Sequence, residues 1–263
     1  MHVRVNADDL GLTSRVNDES FDLISRGLVD SASIIANAPE AREAIQRARK
    51  FPRCSFGVHL NVTQFQPLRP AAAFAPVLDE ERNFTNVFWR VRKDDALRQA
   101  IYQEWSAQIE RCLDLGLRPA HIDSHHDIHL FPEFLPVVFR LQRRFAIRRI
   151  RRGTRIPGAT REFRRAIRDS IWIARCVFRG SELTDYRCGV HEFWKAVQSS
   201  SHLAAGLKKG SIELVVHPGN HFDPVFREET ELLRAGLLAH LKERGFSASG
   251  AAVPRSYGWS ELL

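Results

Sequence analysis

The chain has 263 residues, 44% of them hydrophobic and 27% charged, with a formal net charge of +8 and a pI near 9.8. That balance excludes a disordered chain, and the length suits one substantial core at the size of many single α/β barrels. Four cysteines without a CxxC pair argue against a disulfide framework or zinc knuckle, and no apolar run reaches the ~20 residues that span a bilayer.

In chain order, Val3 and Val5 alternate with polar residues, and the run Asn6-Ala7-Asp8-Asp9-Leu10-Gly11 breaks the pattern. This predicts a first strand ending on two adjacent carboxylates, with no apolar leader before it. The protein is therefore expected in the cytoplasm. Ser14 is the expected N-cap of a helix carrying Val16, Phe21, Ile24 and Leu28 on one face. A strand over residues 31–36, a helix opened by Pro39 and a strand over 56–63 follow. The order βαβαβ favours a parallel sheet or barrel. Residues 64–92 carry Pro67, Pro70 and Pro76 and are too long for an idle connection, so they read as a lid or substrate-binding insertion.

Strong helical spacing returns at 96–115, closed by Gly116. A strand then enters Ala120-His121-Ile122-Asp123-Ser124-His125-His126-Asp127-Ile128-His129, with four histidines and two aspartates in ten residues. Beyond it come a helix over 132–145, a strand over 146–152, an irregular basic insertion over 153–205, a strand over 211–216, and a helix over 228–242. The tail from Pro254 to Leu263 is expected to pack near the site. No repeat or linker interrupts the chain, so residues 1–263 read as a single domain.

Asp8-Asp9, His59, the 121–129 cluster and His217 each follow the apolar part of a predicted strand. In a β/α barrel such positions converge at the C-terminal mouth. The paired aspartates either cap the next helix or divide metal binding and base catalysis between them. His59 alone reads more readily as a packed or solvated side chain than as a ligand. Within the cluster, His125 or His126 is the better ligand candidate, with Asp123 or another histidine orienting it from behind. His217, before Pro218-Gly219, is either a turn residue or an imidazole facing a reacting water.

Four ordered motifs resemble the YdjC-like carbohydrate deacetylases, a group that includes the chitooligosaccharide deacetylases. They are Asn6-Ala7-Asp8-Asp9-Leu10-Gly11, Gly57-Val58-His59-Leu60-Asn61-Val62-Thr63, His121-Ile122-Asp123-Ser124-His125-His126 and His217-Pro218-Gly219. The resemblance implies a deformed (β/α) TIM-like barrel of the glycoside hydrolase/deacetylase type. It also implies one divalent ion, Zn²⁺ or Mg²⁺, on Asp9, His59 and His125. Asp8 would then be the base and His217 the acid or oxyanion partner. The implied activity is removal of the N-acetyl group of an amino sugar, free or lipid-linked. The chain departs from the family at Asp127, where relatives often carry histidine, and this keeps His126 as an alternative to His125.

The basic run Arg143, Arg144, Arg148, Arg149, Arg151, Arg152 and Arg155 leads into an amphipathic stretch over 161–178, with Phe163, Ile167, Ile171 and Phe178 on one face and Arg161, Arg164, Arg165 and Arg168 around the rest. One reading is a helix lying on an anionic membrane surface; the other is an arginine-rich face in water. No nucleic-acid module is present, so nucleic acid is not an expected partner. A homodimer is compatible with the sequence. A two-metal phosphoesterase would need a second carboxylate-rich cluster, which the chain lacks.

Overall fold

The computed structural model describes residues 1–153, 163–199 and 210–248, with only the backbone described at 163–168, 199 and 248. Its strands are β1 (His2–Leu10), β2 (Ser31–Ile34), β3 (Ser55–Leu60), β4 (His121–Ser124), β5 (Arg149–Ile150), β6 (Tyr186–Gly189), β7 (Ser211–Val216) and β8 (Ser247–Ala248). The helices are α1 (Ser14–Ser25), α2 (Ala41–Ala48), α3 (Asp95–Asp114), α4 (Leu135–Phe145), α5 (Phe163–Phe178), α6 (Val190–Ser199), α7 (Pro224–Arg234) and α8 (Leu237–Glu243).

All strand pairs are parallel, in the order β5-β4-β3-β2-β1-β7-β6, with β8 pairing the start of β1. Parallel strands need crossover helices, which cover the sheet and bury both strand faces. Accordingly β2, β4 and β7 are buried along their whole length. The sheet curls until its edges meet: Arg149 makes a parallel bridge with Glu182, four residues before β6. The result is the deformed α/β barrel expected from the sequence, and its strand C-termini open on one mouth.

Local chemistry explains the element ends. Thr13, not Ser14, caps α1 by accepting from the Val16 N–H at 3.2 Å, and Asp94 caps α3 through the Leu97 N–H at 2.9 Å. Ala146 closes α4 in the left-handed region at φ 55°. Residues 64–92 fold around two 3-10 turns, Ala72–Val77 and Asn86–Trp89, pinned by the fully buried Phe74 and Phe88.

Several sequence expectations change. The region 153–205 holds a strand and a helix that periodicity misses, because β6 is four residues long and α6 follows it without a turn. The predicted 146–152 strand shrinks to two residues, and the side chains of Arg151 and Arg152, just beyond them, bond inside the barrel. The predicted 228–242 helix is two helices, broken at Gly236. In α5, Trp172 and Cys176 pack inward while Ile171, Val177 and Phe178 are exposed. That exposed end lies beside Arg148, before β5, and so on the side away from the mouth. The side chains of Arg155, Arg161, Arg164, Arg165 and Arg168, and the tail from Pro254, lie outside the described residues.

Gly57 marks the tightest point under the site. A Cβ there would sit 2.3 Å from Nε2 of His121, whose ring is buried and held by Ser33 Oγ at 3.0 Å. Burial pushes the His121 pKa down to about 4, against the pull of Asp123, so it packs as a neutral ring. Gly57→Ala is therefore expected to destabilise the fold by roughly 1–3 kcal/mol through overpacking. Thermal unfolding will show it as a lowered midpoint.

Candidate functional site

Neighbouring residues in a strand point to opposite faces, so Asp8 and Asp9 should not share a site. They do so here because the β1–β2 register shifts between Ala7 and Leu10, and Asp9 adopts φ 69°. A left-handed aspartate costs on the order of 1 kcal/mol, and the surrounding fold holds it. Asn220, just after the His217-Pro218-Gly219 turn, donates to Asp9 Oδ2 at 3.0 Å. The turn needs its glycine: Gly219 has φ 71°, and a Cβ there would lie 2.8 Å from the Arg15 carbonyl.

His59 rises from β3 with its Nδ1 2.8 Å from Asp123 Oδ1, which turns Nε2 toward the carboxylates of β1. Nε2 lies 3.5 Å from Asp9 Oδ1 and 3.9 Å from Asp8 Oδ2. This carboxylate–histidine arrangement is the one that fixes the tautomer of a metal-binding imidazole. Burial alone would lower the His59 pKa, but Asp123 and Asp8, then Asp9, raise it to about 9.

His125 brings Nδ1 to 3.0 Å from Asp9 Oδ1. The two atoms are close but not aligned as a hydrogen bond, and Asp9 Oδ1 and His125 Nε2 are buried with no hydrogen-bond partner. Buried polar atoms without a partner are costly, and a cation shared by Asp9 and His125 would satisfy Asp9 Oδ1. Asp9, His59 and His125 together present ligand atoms within 4.8 Å of one another; Asp8, His59 and Asp123 do the same. The second set is the poorer one, because both Asp123 and Asp8 already accept short hydrogen bonds.

The other cluster histidines have different partners. His126 turns away to Thr63 Oγ1 at 3.0 Å, although its ring lies only 3.9 Å from that of His125. Burial, with the neighbouring His125, lowers its pKa to about 4. His129 is locked between Ser124 Oγ at 2.6 Å and the Arg151 carbonyl at 2.9 Å. Asp123 does back up a histidine, as expected, but the histidine is His59 and not a member of its own cluster. Asp127 pairs with Arg187 at 2.6 Å. His217 faces the site from β7, with Nδ1 3.2 Å from Glu229 Oε2 and its ring stacked on Phe226 at 4.0 Å. Burial opposes its protonation, but Glu229, Asp9 and Asp8 outweigh this and raise its pKa.

The residue that sequence reasoning misplaced is Arg151. Read as part of a basic surface, it is buried, and its guanidinium grips Asp8 with both Nη atoms at 2.7 and 2.6 Å. It also reaches Asp123 Oδ2 at 2.8 Å and Glu213 Oε1 at 2.8 Å. The available signal was its place directly after β5, matching the strand-end positions of Asp8-Asp9, His59 and His217. Three buried carboxylates (Asp8, Asp123 and Glu213) thus share one guanidinium, and the buried Asp9 beside them makes no contact with it. The negative charge gathered beside Asp9, His59 and His125 suits a divalent ion there.

The YdjC-like protein family matches residues 2–247. A carbohydrate deacetylase of Halalkalibacterium halodurans is 28% identical over 240 residues, 90% of this chain and 92% of the relative. One from Geobacillus stearothermophilus is 37% identical over 147 residues, 54% of this chain and 56% of the relative. One from Vibrio cholerae is 35% identical over 149 residues, 56% of this chain and 57% of the relative. A crystal structure from Enterococcus faecalis V583, described as a cellobiose-phosphate cleavage protein, superposes with a TM-score of 0.74 at 23% identity, covering 99% of this chain and 98% of that one, and so shares the fold. Matched from its first strand to its last described one, the chain belongs to the YdjC-like protein family.

Proposed function

We propose that this protein hydrolyses the N-acetyl group of an amino sugar, releasing acetate, with one divalent ion held by Asp9, His59 and His125. The observation that carries this reading is the meeting of Asp9 Oδ1 and His125 Nδ1 at 3.0 Å without a hydrogen bond, beside an imidazole already oriented by Asp123. The relatives named carbohydrate deacetylases support the reaction class.

Amide hydrolysis needs a polarised carbonyl and an activated water, and a divalent ion when bound supplies both. The chain's own groups supply the rest. Asp8 is held ionised: burial opposes this, but Arg151 and His59 lower its pKa. An ionised carboxylate has acceptor capacity beyond the Arg151 pair, so Asp8 can take a proton from the attacking water. Arg151 keeps its two oxygens in place through the cycle, and Asn6 Nδ2 adds a third contact at 2.7 Å. His217, its pKa raised by Glu229 and the site carboxylates, carries a proton to the departing amine. The separate placement of Asp8 on Arg151 and His217 on Glu229 gives the base and the acid different surroundings.

The test is acetate release from a panel of soluble and lipid-linked N-acetylated sugars. Release from at least one class supports the reading and identifies the carrier. No release from any member would reject it. Among the described residues no helix is long and apolar enough to cross a membrane.

A further inference from the structure

A single exposed aromatic is ordinary on a protein surface, so what singles one out is an anchored position beside a polar site. Trp89 is 41% exposed, yet its position is fixed. It ends the 3-10 turn Asn86–Trp89, capped by Thr85. Its neighbour Phe88 is fully buried, packing on Phe134 at 5.9 Å, and the Lys93 ammonium donates to the Trp89 carbonyl at 3.1 Å. The indole therefore stands on an anchored base. Its ring lies 5.4 Å from that of Phe131 and 6.4 Å from that of His126, which in turn lies 3.9 Å from the ring of His125.

We infer that Trp89, backed by Phe131 and bordered by His126, forms the wall against which a pyranose ring stacks while its acetamido group reaches the carboxylates of β1. This rests on the deacetylase reading and deepens it. A pyranose has an apolar face of C–H bonds and a rim of hydroxyls. An exposed indole offers a matching flat face with a donor at its edge. His126, kept off the metal ligand set by Thr63, borders the same wall. The insertion over 64–92 is thus a substrate-binding segment, and Trp89 is its specificity-determining residue.

The test uses Trp89→Ala and Trp89→Phe in the full chain, with N,N′-diacetylchitobiose as probe. Ligand-observed NMR measures binding to chelated protein, which does not depend on turnover, and steady-state acetate release measures KM and kcat. Trp89→Ala is expected to weaken binding and raise KM about tenfold or more, with kcat within about threefold and unchanged metal content. Trp89→Phe, which keeps a flat ring, is expected to recover most of the loss. Its recovery separates stacking from a folding defect, as does an unchanged unfolding midpoint. If the wild type binds the disaccharide but releases no acetate, the deacetylase reading fails on this sugar and the wall is judged by binding alone. Equal binding by wild type and Trp89→Ala, or no binding by wild type, would overturn the inference.

Discussion

Asp9→Ala, His59→Ala and His125→Ala will each purify with little of the divalent ion that the wild type holds, and acetate release will fall to background. Each change removes one of three protein ligands. Full occupancy in His125→Ala together with loss in His126→Ala would reassign the ligand to the next residue. The geometry predicts the opposite, since His126 is committed to Thr63 and only His125 reaches Asp9. The same site sets a pH dependence. In the metal-free protein the His59 pKa stands at about 9 against an ordinary 6.5, because burial is outweighed by Asp123 and Asp8. A raised pKa contributes stability that is complete below about pH 6.5 and is lost as pH rises through about 9, on the order of 3 kcal/mol for this shift. Chelated protein will therefore unfold more readily at pH 9.5 than at pH 6.5. Metal-loaded protein will show less of this fall, because the cation takes the place of the proton. Calorimetric scans with and without chelator measure both.

Asp8→Asn will keep its metal and its fold but lose roughly 10²–10⁴ in kcat, the range expected for removing a general base. An amide cannot accept the water's proton at neutral pH. It can still accept one hydrogen bond from Arg151, whose charge remains balanced by Asp123 and Glu213. That is why this substitution separates chemistry from structure, where Arg151→Met would leave three buried carboxylates without their cation. Near-wild-type turnover in Asp8→Asn would make Asp8 a structural partner of Arg151 and place the base elsewhere.

The barrel was legible because its strands are apolar and its chemistry sits at their ends. Asp8-Asp9, His59, the 121–129 cluster and His217 could be placed at one mouth before any coordinate was known. Strands β6 and β8 were not read, having four and two residues with little room for a hydrophobic period, and β5 was read as a longer strand than its two residues. Arg151 was hidden for a different reason. Six other arginines surround it in sequence, and composition cannot distinguish a guanidinium facing water from one enclosed by Asp8, Asp123 and Glu213. Likewise, no sequence pattern states that Asp9 leaves the strand conformation, although that single left-handed residue lets two adjacent aspartates serve one site. Nor does spacing alone tell His125 from His126: both follow β4, and only the left-handed backbone at His126 and Asp127 sends one to Asp9 and the other to Thr63.

The most direct measurement is a metal titration of chelated wild-type protein with acetate release as the readout, on a sugar that the untreated protein deacetylates. If Asp9, His59 and His125 hold the ion that the reaction needs, chelation abolishes release, and activity returns linearly to a plateau at about one equivalent of Zn²⁺ or another divalent ion. Full activity in protein shown by elemental analysis to be metal-free would contradict the account.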